Sequence, residues 1–293
     1  MHGDPDATAR TAPAARSLPG WYPDPFGRFP ARWWDGEAWT AYAADGEVRW
    51  DATSLREEPA RPATPPGLGV AAIGVGCGVG LSLAGMAALD AASGHASRAT
   101  ELLVGSLGLW LGLTSACVYV SRRRGTGSLR RDFSLKFRWQ DLGFGLAGSV
   151  VARILAIAAV AAIPLPMPTR RIGESERVVF EGASDTGLEL AVIVLVICIG
   201  APFFEELFFR GLVQGRLETR LGAASGIAVT SLLFGAAHLI AWQGPWTLVY
   251  AWAVAASGLV LGLMRHVSGR LGAPMAAHAF FNAQVMAIVV LLS

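Results

Sequence analysis

From Leu68 to the end, the chain alternates long apolar runs with short polar connections. Seven runs lie at roughly 68–89, 101–121, 139–163, 188–220, 222–241, 246–265 and 272–292. Each is at or near the ~20 apolar residues that carry an α-helix across a bilayer. The pattern predicts an all-α polytopic membrane domain of about seven transmembrane helices over residues 68–293. Glycines recur at four-residue spacing, as in Gly74/Gly78 and Gly108/Gly112, which predicts close packing of neighbouring helices.

Before Leu68 the pattern changes. Residues 1–17 read as a disordered tail and residues 52–67 as a flexible, proline-rich linker. Residues 18–51 hold Trp21, Trp33, Trp34, Trp39 and Trp50. Disordered segments are poor in aromatics, so a small folded β module is expected there. WYPDP reads as a turn. In RWWDGEAWT, Asp35-Gly36 lies between aromatic and β-favouring residues, a strong hairpin signal. The strands are placed near 29–34 and 37–42.

Composition sharpens the class. The chain is 53% hydrophobic and 16% charged, against about 25% charged in soluble domains. A net charge of +2 points to no particular partner, and nothing indicates nucleic acid. Cys77, Cys117 and Cys198 lie in apolar runs, without metal-ligand spacing. No signal-peptide pattern is expected in residues 1–66.

Local charge sets the expected orientation. The connection after the second run carries Arg122, Arg123, Arg124, Arg130, Arg131, Lys136 and Arg138, which the positive-inside rule places in the cytoplasm. The β module is then cytoplasmic and the chain ends outside. The connection 164–187 is mixed in charge, as an external loop can be. Arg216 and Arg220, then Arg265 and Arg270, return to the inside. The expected location is the plasma membrane.

Ionisable groups inside these runs are the candidate chemistry, because a central charge costs roughly 2.5–3.5 kcal/mol on insertion scales. The fourth run spans about 33 residues and would extend ~50 Å as one helix; Pro202 is expected to kink it. Within it lie Glu205, Glu206 and Arg210. Glu206 and Arg210, four apart, share a face. Glu205 points about 100° away and has no local counter-charge, so it calls for a water-filled cavity, a proton or a metal. The fifth run carries FGAAH, with Phe234 and His238; the seventh carries HAFFN, with His278 and Asn282. Together these offer a carboxylate base, two imidazoles and an amide, which hydrolysis of a carbonyl requires. Counted from Arg220, Glu205 is ~22 Å and His238 ~27 Å deep, whereas His278 is only ~12 Å past Arg270. That mismatch calls for tilt, or for a sunken helix start near Gly272-Ala273-Pro274. Arg153, in VVARILA, is a further central charge that either pairs with Glu206 or meets a substrate carboxylate.

In this order, the Glu-Glu-x-x-x-Arg of EELFFR, the Phe-x-x-x-His of FGAAH and the His-x-x-x-Asn of HAFFN resemble the CPBP family of intramembrane proteases. That family includes type II CAAX prenyl endopeptidases and proteins linked to bacteriocin self-immunity. The resemblance covers about residues 130–290. It implies that Glu205 and His238 activate water, that His278 and Asn282 stabilise the oxyanion, and that Glu206 and Arg210 are structural. A glutamate-activated water without metal is the favoured mechanism. If zinc is used instead, Glu205, His238 and His278 are its ligands. The N-terminal WYPDP…RWWDG..WT is similar to a short domain of unknown function found on actinobacterial membrane proteins. It implies a bacterial source and leaves an unknown cytoplasmic partner open. The expected substrate is a membrane-associated or CAAX-like peptide. The rival readings are a non-catalytic immunity or scaffolding protein and a transporter, although no inverted repeats are seen.

Overall fold

The computed structural model describes residues 18–24, 27–36, 39–51, 67–94, 96–163, 187–241 and 244–292. The tail 1–17, most of the linker 52–67 and nearly all of the connection 164–187 therefore lie outside the described residues. The chain divides into two compact units, Met1–Pro65 and Pro66–Ser293.

The first unit is an antiparallel sheet of four strands, two more than the single hairpin expected. They are β1 (Gly20–Pro23), β2 (Ala31–Trp34), β3 (Trp39–Ala44) and β4 (Val48–Trp50), in that order across the sheet. The hairpin signal at Asp35-Gly36 lies between β2 and β3, where Trp34 faces Trp39 and Gly36 has a φ of +96°. WYPDP forms its turn through Asp24, whose carboxylate accepts the backbone N–H groups of Arg28 and Phe29. The sheet is sealed by a buried ion cluster. Arg32 is fully buried and donates to Asp24 Oδ1 at 2.7 Å, Asp51 Oδ2 at 2.7 Å and the Thr40 carbonyl at 3.0 Å. A unit this small has little apolar core, and its buried charge is tolerated because every arm of the guanidinium has a partner.

Among its described residues the regular elements of the second unit are all helices. Its helices among the described residues are α1 (Gly67–Ser93), α2 (Arg98–Arg124), α3 (Leu129–Asp132), α4 (Gln140–Ala161), α5 (Gly187–Leu221), α6 (Ala223–Ala237), α7 (Trp246–Ser268) and α8 (Gly272–Leu292). A 3₁₀ turn, His238–Ala241, continues α6. Six of these helical stretches are long and apolar enough to cross a membrane, and α8 is 21 residues long. The polytopic reading stands. Ser149, Glu206, Arg210, Gln214, Thr230 and His278 are buried inside the bundle, while Ile73, Leu111, Ile154, Ile199 and Leu232 are exposed on its outside. That distribution suits a lipid solvent.

Two packing features position the site. Gly74 and Gly78 of α1 face Gly108 and Gly112 of α2 so closely that a Cβ on Gly112 would run into the Gly74 carbonyl and the Gly78 backbone. Across the bundle, the start of α8 is tied to the basic connection before α4. Leu271 N–H donates to the Ser134 carbonyl and Gly272 N–H to the Lys136 carbonyl, both at 3.0 Å. Arg270 clamps the buried Asp141 of α4 at 2.6 Å, and that hydrogen bond raises the pKa of the Arg270 guanidinium. Two arginine-bearing connections thus lie together at one end of the helices. Leu271 and Ala273 are fully buried, so α8 begins inside the protein.

Candidate active site

The site is built on α5, α6 and α8. Helix α5 runs 35 residues without a break, but its winding changes. Leu195–Gly200 and Leu207–Gln214 are π-helical, flanking a short α-helical piece, Ala201–Glu206, that holds Pro202, Glu205 and Glu206. Pro202, the expected site of a kink, thus lies directly after a π-wound stretch. Such π segments often mark functional sites.

Glu206 is fully buried, and its Oε1 serves two donors. Arg210 Nη1 donates to it at 2.9 Å, and His278 Nδ1 lies 3.0 Å away. Arg210 continues to α7, donating from Nη2 to the Gly258 carbonyl at 3.2 Å. One turn on, Gln214 donates to the Gly262 carbonyl at 2.9 Å. Side chains four apart on α5 thus hold carbonyls four apart on α7. The facing glycines make the approach possible, since a Cβ on Gly258 would stand 3.3 Å from Arg210 Nη2. Phe234 of α6 lies under the Arg210 guanidinium, 4.2 Å from Cζ to ring centre. Its ring also meets His238 and His278 edge-on, at 5.1 and 5.7 Å.

Both glutamates keep a buried Oε2 without a hydrogen-bond partner; that of Glu205 lies 4.0 Å from His278 Nε2. His278 therefore stands between the two glutamates, Nδ1 toward Glu206 and Nε2 toward Glu205. His238 ends α6 with Nδ1 2.9 Å from the Phe234 carbonyl. A carbonyl only accepts, so Nδ1 carries the proton and a neutral His238 keeps its lone pair on Nε2. Asn282 donates from Nδ2 to the Ile197 carbonyl of α5 at 2.8 Å.

Helix α8 starts at the buried Leu271 and Ala273, and His278 is brought beside Glu205 and Glu206 of α5. His238, His278 and Asn282 share one cavity, with Phe234, Tyr250, Ser257 and Phe281 among its other walls. Glu205 is not part of that wall and reaches the site through His278. Arg153 does not pair with Glu206. It donates from Nη2 to the Phe281 carbonyl at 2.6 Å, with Cζ 3.7 Å from the centre of the Phe281 ring. The sequence reading gave no role to Phe234 or Gly258. Phe234 was visible as a motif position; Gly258 had no signal beyond its residue type.

The zinc set named from the sequence does not converge. Among the described residues no three His, Cys, Asp or Glu side chains are grouped to hold a metal ion, and Phe234 stands edge-on to both imidazoles.

Residues 187–284 match the family model of the Rce1-like type II CAAX prenyl endopeptidases, and residues 19–66 match a protein family of unknown function, DUF2510. No curated protein and no solved structure matches the chain. The first match contains Glu205, Glu206, Arg210, His238, His278 and Asn282, and it supports the family reading drawn from the three motifs. At the level of that family it also supports protease activity, in a multi-pass membrane protein.

Proposed function

We propose that this chain is an intramembrane endopeptidase that hydrolyses a peptide bond in a membrane-associated, CAAX-like substrate, with Glu205 as the base. One observation carries the reading: a buried, unpartnered carboxylate oxygen of Glu205 faces His278, which with His238 and Asn282 lines a single cavity. All four residues lie within the stretch similar to type II CAAX prenyl endopeptidases.

The chemistry follows from the free valences. Glu205 takes a proton from a water while the water oxygen attacks the scissile carbonyl carbon. His238 accepts the second water hydrogen on Nε2, the nitrogen left without a proton by the Phe234 carbonyl. The carbonyl π pair moves to oxygen. The resulting oxyanion takes a hydrogen bond from Asn282 Nδ2, which has a second N–H beyond the one given to Ile197. With a proton on each nitrogen, His278 donates to Glu206 from Nδ1 and to the oxyanion from Nε2. Collapse restores the carbonyl and expels the amine, which receives the proton held by Glu205. The groups of a free enzyme need not yet stand at hydrogen-bond distance. No step is routed through a metal.

The test uses protein purified into vesicles and an internally quenched peptide ending in a prenylated CAAX sequence. Glu205→Gln keeps the size of the side chain but cannot take a proton. Its rate is expected to fall at least ~10²-fold, the low end for a lost general base, with unchanged melting temperature. A fully active Glu205→Gln overturns the assignment and favours a non-catalytic membrane protein. Activity abolished by a chelator and restored by zinc would overturn the metal-free step.

A further inference from the structure

We propose that Pro202 is a positioning residue for Asn282. By leaving the Ile197 carbonyl without a backbone donor, it fixes the Asn282 amide with one N–H on that carbonyl and the other free for the cavity. The catalytic half of this inference rests on the reading of Asn282 as an oxyanion donor.

In an α-helical winding, the Ile197 carbonyl would accept the N–H of Ala201, four residues on. Here that N–H is given to the Val196 carbonyl, five residues back, because Leu195–Gly200 is π-wound. In the same winding the next donor, for Ile197, would be residue 202. That residue is proline and has no N–H. In this π winding the carbonyl is thus left without a backbone partner, between the buried Val196 and Cys198, where an unmade hydrogen bond is costly. Asn282 supplies the partner from α8 at 2.8 Å.

The consequence is orientational. Because a carbonyl accepts and cannot donate, the NH₂ end of the amide must face α5. One of its two N–H bonds is committed to Ile197, and the planar amide fixes the direction of the other. The side chain itself lines the cavity with His238 and His278. Alanine is a far better helix former than proline. Its N–H at position 202 would supply the missing backbone donor and release Asn282 to turn.

The experiment is a double-mutant cycle on the full chain in vesicles. Pro202→Ala is expected to melt at the same or a higher temperature. With the quenched prenylated CAAX peptide its kcat should fall about 10-fold, short of the 10²–10³-fold for losing an oxyanion donor outright, with KM little changed. Asn282→Ala should lower the melting temperature in the natural background and much less in the Pro202→Ala background. If Asn282→Ala alone fails to accumulate, adding Pro202→Ala should restore it. Additive melting shifts, or no restoration, overturn the link between the two residues. Full kcat in Pro202→Ala, with reduced kcat in Asn282→Ala, overturns the positioning role. Should Glu205→Gln keep full activity, the hydrolase reading falls separately. The melting cycle then decides the link by itself, a non-additive result supporting it and an additive one overturning it.

Discussion

Glu205 and Glu206 are neighbours of one residue type with different surroundings. Glu206 accepts on Oε1 from Arg210 and His278, whereas Glu205 Oε2 stands 4.0 Å from His278 Nε2; the Oε2 of each is buried without a hydrogen-bond partner. The two point about 100° apart on the helix: Glu206 meets Arg210 and the Nδ1 side of His278, and Glu205 the Nε2 side of the same ring. Glu206→Gln removes the counter-charge of a fully buried Arg210, a change that costs about 3–5 kcal/mol when one partner of a buried pair is lost. Its expected signature is a lower melting temperature and lower yield, in contrast to Glu205→Gln, which should lose activity alone. A Glu206→Gln protein that melts like the natural one would remove the structural role given to the pair. This division was legible in the motif spacing. The contact of Glu206 with His278 was not, because spacing within α5 says nothing about the rotation of α8.

At the scale of elements, two devices act. Small residues let α1 and α2 close on each other, and α5 carries a proline directly after a change of winding. The first was readable as glycine spacing, and it makes a firm prediction. Gly112→Val would place its side chain in the backbone of Gly74 and Gly78. Overpacking of this kind costs about 1–3 kcal/mol. The variant should melt at a lower temperature and weaken cysteine cross-linking between α1 and α2. Unchanged melting and cross-linking would mean the two helices do not need this approach. The winding of α5 was not readable. Pro202 signals an interruption of the regular helix, but not the π winding that precedes it.

For the whole molecule, the arginines between Arg122 and Arg138 and those at Arg265 and Arg270 predict a cytoplasmic N-terminus and an external C-terminus. The bonds of Ser134 and Lys136 to Leu271 and Gly272 place two of these connections at the same end of the helices, as that orientation requires. A reporter fused after Ser293 is expected to read outside. If it reads inside, the number of crossings is even and the seven-helix orientation falls.

Hydropathy, charge bias and motif order are local properties, so the sequence alone determined the membrane class, the two-unit division, the presence of a hairpin and the identity of most candidate site residues. Helical spacing could assign Glu206 and Arg210 to one face, because i and i+4 are neighbours within any helix of that winding. What lies between helices was decided by tertiary structure. Arg153 met the Phe281 carbonyl instead of Glu206, His278 came between two glutamates, and Asn282 was spent partly on Ile197. His278 came to the level of Glu205 and Glu206 on an α8 that starts inside the protein, which counting residues from Arg270 did not show. Each of these depends on the rotation and offset of one helix against another. Packing and unsatisfied backbone groups set those quantities, and a one-dimensional pattern does not contain them.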